Sequence, residues 1–521
     1  MSTDTQYRRS PYGNVSLVPR STVAWVVLTT VAVMGVLVLV EVLNVLFFFE
    51  PFVMPDQQEV PLWTLQGVMG GIDIATLSIV MFGSLLVLLA LGLPLVFVTG
   101  SLGVVFIYLV GDALMLNIIP SRIFPLMTNY QLSAIPLFIF MASMLERAGL
   151  IDEMFDVIYK WLGGFSGGLA AATIVASTIL AAMVGVIGAA VVTMGLIALP
   201  AMLKRNYDPQ IALGSIMAGG TLGILIPPSI LAIIYAVVAQ ESVGELYLGS
   251  VIPGLMLSGL YILYVSVRSA LNPRLGPPLP AAERVSFAQK LVLLRRMLAP
   301  VILIALVLGV IFSGAATPVE AAAIGSFGAM VVAALHGRLS WVNVRDAAIS
   351  TMRASAMVLW IIFGATIFVG FYILQGGQTF VSDLILGTGL SPYGVLILMM
   401  ILLVFLGMFL DWVGILLLAV PIFIPIIQVL EFNGVLGLPG VEEGRVALWF
   451  GVLYLVNMQM SFLSPPFGYA LFYMRGVAPK EISTATIFRA SLPFLALQVT
   501  GLTVCVLFPE VVLWLPRLVY G

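Results

Sequence analysis

Charge, sulfur and imidazole are nearly missing from this chain. Of its 521 residues only 9% are Asp, Glu, Lys or Arg, while 61% are hydrophobic and the mean hydropathy is +1.16. A soluble domain carries about a quarter charged residues, so this composition belongs to a polytopic membrane protein. One cysteine, Cys505, excludes a disulfide framework, and one histidine, His336, leaves no Cys/His metal centre. A net charge of −2 gives no electrostatic footprint for nucleic acid, and no basic cluster is interleaved with aromatics. Walker sequences, nucleophile elbows and paired-carboxylate spacings are also missing, which argues against ATP hydrolysis and against an enzyme.

What is present is a contradiction inside the apolar sequence. Gly219 to Tyr235 reads GGTLGILIPPSILAIIY. Its double proline, Pro227-Pro228, removes two backbone donors and disfavours helix at Ile226. Lipid cannot satisfy the freed carbonyls, so a break at bilayer depth is tolerated only inside protein or beside a wet cavity. A lone break could be a packing kink. Ser461 to Tyr473, SFLSPPFGYALFY, repeats it: Leu225, Pro227, Pro228, Ala232 and Tyr235 match Leu463, Pro465, Pro466, Ala470 and Tyr473 without a gap. Pro253 then falls opposite Pro493 after a two-residue insertion. Paired interrupted segments at corresponding places in two halves point to a transporter binding site.

The apolar runs around these breaks are of two kinds. Some are long enough to span a bilayer, which takes about 20 residues. The shorter pairs 210–225/227–240 and 446–461/465–474 read as spans broken at the prolines. Two others, 168–185/189–203 and 391–409/412–430, read as helical hairpins that enter the membrane and return. With both hairpins re-entrant and the N-terminus cytoplasmic, 19 of the 22 Lys and Arg fall on the cytoplasmic side. Arg122, Arg445 and Arg517 are the exceptions. This is the positive-inside asymmetry. The hairpins then open to opposite faces and the broken helices run in opposite senses, making the halves an inverted repeat. The expected fold is an all-α polytopic membrane protein with two re-entrant hairpins and two discontinuous helices. Its expected divisions are an N-terminal extension, 1–72, with one extra membrane helix near 23–49; a first repeat, 73–267; a basic cytoplasmic linker, 268–296; a second repeat, 297–510; and a tail, 511–521.

Inverted hairpins bring their tips together beside the breaks. The first tip, Met183 to Ala190, holds Gly185 and Gly188, which permit close backbone approach. The second, Gly407 to Gly414, holds Asp411, the one carboxylate set in apolar sequence here, and an ionisable group at that depth is a functional candidate. Its structural alternative is an N-cap for 412–430. Thr221 and Ser229 flank the first break, and Asn457, Ser461 and Ser464 the second. Hydroxyls and unwound carbonyls suit a hard cation such as Na⁺, while a half-helix N-terminus such as that at Ser229 suits a carboxylate. A single Ser or Thr can equally bond its own helix; co-location at two related breaks gives these their weight. Glu146-Arg147 and Asp152-Glu153 read as a solvated interfacial turn, and Trp161, Trp341 and Trp412 as belt or packing residues.

At GGTLGILIPPSI (Gly219–Ile230), PGLML (Pro253–Leu257), GMFLDWVGILLLAVPIFIPI (Gly407–Ile426) and NMQMSFLSPPFGYALFY (Asn457–Tyr473) the chain resembles the large membrane subunit of tripartite ATP-independent periplasmic (TRAP) transporters, over roughly 74–510. The second broken helix is most similar to the mannitol/chloroaromatic-type branch. The resemblance implies an elevator-type carrier in the bacterial inner membrane, driven by co-transported sodium, that imports organic acids. It implies two partners, a periplasmic substrate-binding protein and a small Q-type membrane subunit, and no organic cofactor. Carried onto this sequence, it puts sodium at Gly185, Gly188, Gly219, Gly220, Thr221 and Pro228, and again at Gly407, Asp411, Asn457, Ser461 and Ser464. The substrate would lie between the tips, near Asp411, Gly188, Thr221, Ser229 and Ser464. The first tip departs from relatives that carry serines there, having Val186, Ile187 and Ala189, so backbone carbonyls would serve instead. Rival readings are a stand-alone sodium/divalent-anion symporter and, from another class, a membrane enzyme or channel; an enzyme would need acid/base residues converging in the membrane, and a channel has no need of paired hairpins.

This topology makes a labelling prediction. In a background lacking Cys505, Asp383→Cys and Glu442→Cys should react with an impermeant maleimide from the periplasm, and Lys204→Cys and Arg284→Cys from the cytoplasm. Finding positions 204 and 442 on one side would overturn the inverted repeat.

Overall fold

The computed structural model describes residues 71–521 apart from 112, 186, 281–282, 435–438 and 467. The expected helix near 23–49 lies outside the described residues. Every regular element among those described is helical. Helices α1 (Ile74–Ala90) and α2 (Leu95–Val110) lead to α3 (Ile118–Met127), which meets α4 (Ala134–Arg147) at a bend of 59°.

One order of elements then occurs twice. In the first half α4 is followed by short α5 (Leu150–Leu162), paired helices α6 (Gly168–Val184) and α7 (Ile187–Lys204), the interrupted pair α8 (Pro209–Thr221) and α9 (Ile230–Ala239), and long α10 (Val243–Leu271). Helices α11 (Phe287–Phe312) and α12 (Pro318–Leu335) intervene. The second half runs α13 (Trp341–Leu374), short α14 (Gly377–Leu386), paired α15 (Pro392–Gly407) and α16 (Trp412–Gln428), interrupted α17 (Val446–Leu463) and α18 (Tyr469–Val477), and long α19 (Thr484–Leu507). Helix α20 (Glu510–Tyr520) closes the chain. The two halves agree in detail. Short α5 and α14 each start after a left-handed glycine, Gly149 and Gly376. Pro253 and Pro493 both lie inside the helix after the break, and both double prolines are cis.

Polar caps punctuate the apolar helices. Asp73 accepts from the Ala75 and Thr76 N–H groups, Asp208 from Gln210 and Ile211, and Ser391 from Gly394. Ser286/Gln289 and Thr317/Glu320 form full capping boxes. Each satisfies backbone donors that an apolar environment would leave bare.

Four boundaries differ from the sequence expectation, for related reasons. The solvated turn foreseen at 146–153 is confined to Ala148 and Gly149; beyond it α5 is an amphipathic helix that buries Leu150, Ile151, Met154, Phe155 and Ile158. Helices α14 and α20 are further short helices of mixed hydropathy, and α20 occupies the stretch read as a tail. Helices α10 and α11 both reach into 268–296, leaving 272–286 between them. That remaining linker straps the feet of α6 and α7: Leu279 N–H donates to Gly163 O (2.7 Å), Gly167 N–H to Gly276 O (2.8 Å) and Asp208 N–H to Leu275 O (2.9 Å), with Arg205 paired to Glu283.

At the other end of the molecule, two of the three charge exceptions find partners. Arg445 faces Glu245 at 3.4 Å and Glu442 at 3.7 Å, while Arg517 faces Glu442 at 3.3 Å and also pairs with Glu510. These pairs join the start of α10 to the start of α17 and to α20.

Helices α8 and α17 form the centre. Every residue of α17 is buried, as is every residue of α8 from Ile211 onward. Helix α8 packs against both α6 and α7, and α17 against α15. Across the repeat, α18 packs on α7 and α9 on α16, so each hairpin touches both breaks. Lipid removes the hydrophobic drive between membrane helices, so close van der Waals approach carries their association. Gly407 shows it: a Cβ there would stand 2.2 Å from Ser461 Cβ. We expect Gly407→Ala to push α15 off α17 and cost roughly 1–3 kcal/mol of stability. Thermal unfolding in detergent would show it, and adding Ser461→Gly should recover most of the loss.

Candidate functional site at the hairpin tips

Where the two hairpins and two breaks meet, the backbone leaves regular geometry four times. Helix α6 ends at Gly185 with φ +60°, and α7 restarts at Ile187. A Cβ on Gly185 would sit 2.9 Å from Pro228 O, so the first tip rests on the first break; one on Gly188 would sit 2.9 Å from Tyr473 Cζ, so it also rests on α18. Helix α8 tightens into a 3₁₀ turn at Leu222–Ile224 before Pro227-Pro228, and Ser229 caps α9 by accepting from Ala232 N–H at 3.4 Å. The second tip runs from Gly407 to Asp411, where α16 starts.

These pieces enclose a cavity of about 90 Å³. That is well below the roughly 300–1,000 Å³ of a ligand site, so this is a closed arrangement of the tips. Its lining includes Gly188 and Ile187 from the first tip, Ile230, Asp411 and Trp412 from the second tip, Phe462, Tyr469 and Tyr473, and Met357 and Val358 from α13. Four helices present their first turns here: α7 through Ile187 and Gly188, α9 through Ile230, α16 through Trp412, and α18 through Tyr469.

Asp411 holds the N-cap position of α16, with φ −68° and ψ 153°, yet its side chain makes no cap hydrogen bond. The carboxylate lies beside the Trp412 and Val413 N–H groups and lines the cavity. Tyr454, Tyr469 and Tyr473 all stand close enough to feel its charge.

Of the residues expected around a substrate, Asp411 and Gly188 line the cavity, whereas Thr221, Ser229 and Ser464 do not. Those three turn to backbone: Thr221 Oγ1 donates to Ala218 O (2.8 Å), Ser229 Oγ to Ile224 O (2.5 Å) and Ser464 Oγ to Met460 O (2.7 Å). Only parts of the two expected sodium groups are in contact with one another. Gly219 and Gly220 lie against Ser177 and Val191 of the two hairpin arms, with Gly185 on Pro228 O; Gly407 lies against Ser461. Asn457 Nδ2 donates to Met400 O at 2.9 Å, while its buried Oδ1 has no hydrogen-bond partner among the described residues. Gln498 Nε2 reaches Thr221 Oγ1 at 3.4 Å, a link no sequence pattern announced. Trp412, read as a belt or packing residue, instead lines the cavity: its position directly after Asp411 on the tip decides this, and hydropathy does not. Met357 and Val358 were also missed, since nothing in α13 marks the one stretch that faces the tips.

The sequence profile of the family described as "Tripartite ATP-independent periplasmic transporter, DctM component" matches residues 82–511. The chain belongs to this family. Among its TRAP relatives is the C4-dicarboxylate TRAP transporter large permease protein DctM of Pseudomonas aeruginosa, 30% identical over 397 residues, covering 76% of this chain and 88% of the relative. The ectoine/5-hydroxyectoine TRAP transporter large permease protein UehC of Ruegeria pomeroyi is 29% identical over 448 residues, covering 84% and 99%. Among solved structures, the Alcanivorax borkumensis YdaH transporter shares the fold with a TM-score of 0.57 at 16% identity, over 81% of this chain and 97% of that one. As a TRAP large permease the chain is a multi-pass membrane transporter, not an enzyme, in a family that carries organic acids with a substrate-binding protein and usually a small Q subunit.

Asp411 gives this TRAP site its sharpest test. Asn caps a helix about as well as Asp, so a pure cap would tolerate Asp411→Asn. Because the carboxylate faces the cavity, Asp411→Asn should instead lower binding-protein-dependent uptake into liposomes roughly ten- to a hundredfold, as for a lost charged hydrogen bond. Thermal stability should stay near that of the parent. Unchanged uptake with unchanged sodium and substrate dependence would make Asp411 a cap.

Proposed function

We propose that this chain is the importer subunit of a sodium-coupled secondary carrier for an organic acid, working in the bacterial inner membrane with its N-terminus cytoplasmic. A periplasmic binding protein delivers the carboxylate, a small membrane subunit braces the outer helices, and the hairpins with their broken helices move as an elevator.

The observation that carries this reading is the convergence of four helix N-termini on one enclosed cavity. Each contributes roughly half a positive charge, about two in all, against one from Asp411. The balance favours an anion, and bare N–H groups at helix starts are its ordinary ligands. Sodium has complementary support. Helices α8 and α17 end at the breaks, so their last carbonyls point toward the unwound segments, where cations bind in such folds. The unpartnered Oδ1 of Asn457 adds a neutral oxygen of the kind a hard cation takes. Cavity closure supports alternating access, because a cargo can enter only if the tips part.

Uptake by the reconstituted membrane subunits should therefore require both an inward sodium gradient and the binding protein. Replacing sodium with choline should abolish it, and uptake that persists in choline or runs on ATP alone would refute the reading.

A further inference from the structure

We infer that Gln498, on the long helix of the second half, is a positioning residue for the first sodium group: it fixes the hydroxyl of Thr221 and so sets how much sodium the first break needs. The inference rests on the sodium reading above and deepens it.

The two expected sodium groups are unequal in side-chain oxygen. The second has Asp411, Asn457, Ser461 and Ser464, whereas the first is glycine and proline apart from Thr221, whose Oγ1 is its one side-chain oxygen. Aligned on the double prolines, Asn457 falls opposite Gly219. The amide that the second break carries on its own helix is therefore missing from the first, and an amide from the other half stands there. Helices α8 and α19 pack side by side. A Cβ on Gly214 would sit 2.6 Å from Ala490 O, and two turns further along α8 Gln498 Nε2 donates to Thr221 Oγ1 at 3.4 Å. Tyr261 of α10 flanks the amide, with its ring edge to face on Phe494 at 5.5 Å and its hydroxyl beside Gln498.

A hydroxyl has one proton and two lone pairs. Thr221 gives its proton to Ala218 O at 2.8 Å, and Gln498 covers one lone pair. The hydroxyl is then fixed in rotation, with one lone pair left for a cation. Fixing a ligand group before it binds removes an ordering cost from binding. A tie between α19 and α8 would not need this amide. Thr221, Tyr261 and Gln498 are fully buried, and Gln498 Oε1 and Tyr261 Oη have no hydrogen-bond partner among the described residues. A bare buried carbonyl costs more than one neutral hydrogen bond returns, so an apolar side chain would join the helices better. Ser258 shows the simpler use. It falls opposite Gln498 when Pro253 and Pro493 are aligned, and its Oγ pairs with Thr178 Oγ1 at 2.8 Å inside its own half.

Sodium dependence can be read in two ways: thermal shift of the purified membrane subunits as sodium chloride replaces choline chloride, and binding-protein-dependent uptake into liposomes over the same series. Gln498→Met keeps the volume and removes the amide. It should raise the sodium concentration for half-saturation roughly three- to tenfold, the worth of one neutral hydrogen bond. Maximal uptake at saturating sodium should stay within about twofold of the parent. Thr221→Val should raise half-saturation at least as far, and adding Gln498→Met to it should change the value by less than about twofold, because the amide acts through the hydroxyl. Ser258→Ala should leave half-saturation where it is. Should Gln498→Met fail to assemble, Gln498→Asn, whose amide stops short of Thr221, should give the same shift. Unchanged half-saturation in the Gln498 variants or in Thr221→Val, a Gln498 shift that adds in full to that of Thr221→Val, or an equal shift in Ser258→Ala would overturn the inference. A parent complex indifferent to sodium would instead overturn the sodium reading beneath it.

Discussion

Everything in this fold follows from backbone that lipid cannot solvate. The two double-proline breaks interrupt the helical hydrogen-bond ladder in the middle of an apolar molecule, where each group left bare would cost several kcal/mol. The remedy is to surround them with protein. Helices α8 and α17, which run into the breaks, are accordingly the most enclosed elements, and each is flanked by a hairpin whose own ends need the same shelter. Four sets of incomplete helix ends thus share one protected space. The groups that need burying here are also ones that can bind charge.

This origin explains which parts of the protein could be read from its sequence. The breaks were legible because proline acts through local covalent geometry, and the same signature recurs at Pro465-Pro466. The paired helices were legible as short apolar runs, three of them 16 or 17 residues long and α7 18. Helices α5, α14 and α20 were not, because their mixed hydropathy imitates solvated turns. Asp411 was legible as the one carboxylate in apolar sequence at the tips, but the ring enclosure around it was not. Tyr235 and Tyr473 occupy matching positions after the two breaks, yet Tyr235 donates to Ala447 O while Tyr473 lies over Gly188. Sequence symmetry located both; only the packing of the two halves distinguishes their roles.

The arginines tell a similar story at longer range. Charge asymmetry along the chain assigned sides to nearly every loop and left Arg122, Arg445 and Arg517 as exceptions. Two of these, Arg445 and Arg517, are held by Glu245, Glu442 and Glu510 in a network joining the two halves at one end of the molecule. Such exposed pairs contribute about 1 kcal/mol or less each. Their placement matters more than their strength, because arginines neutralised by glutamates carry less weight in the charge asymmetry.

The strap at the feet of the first hairpin sets a mechanical limit. Leu279 is bonded to Gly163 at the base of α6, and α11 begins at Phe287, eight residues later. Eight residues of fully extended chain reach about 28 Å. That is the greatest separation the chain allows between the base of the first hairpin and the start of α11 while the strap stays fastened.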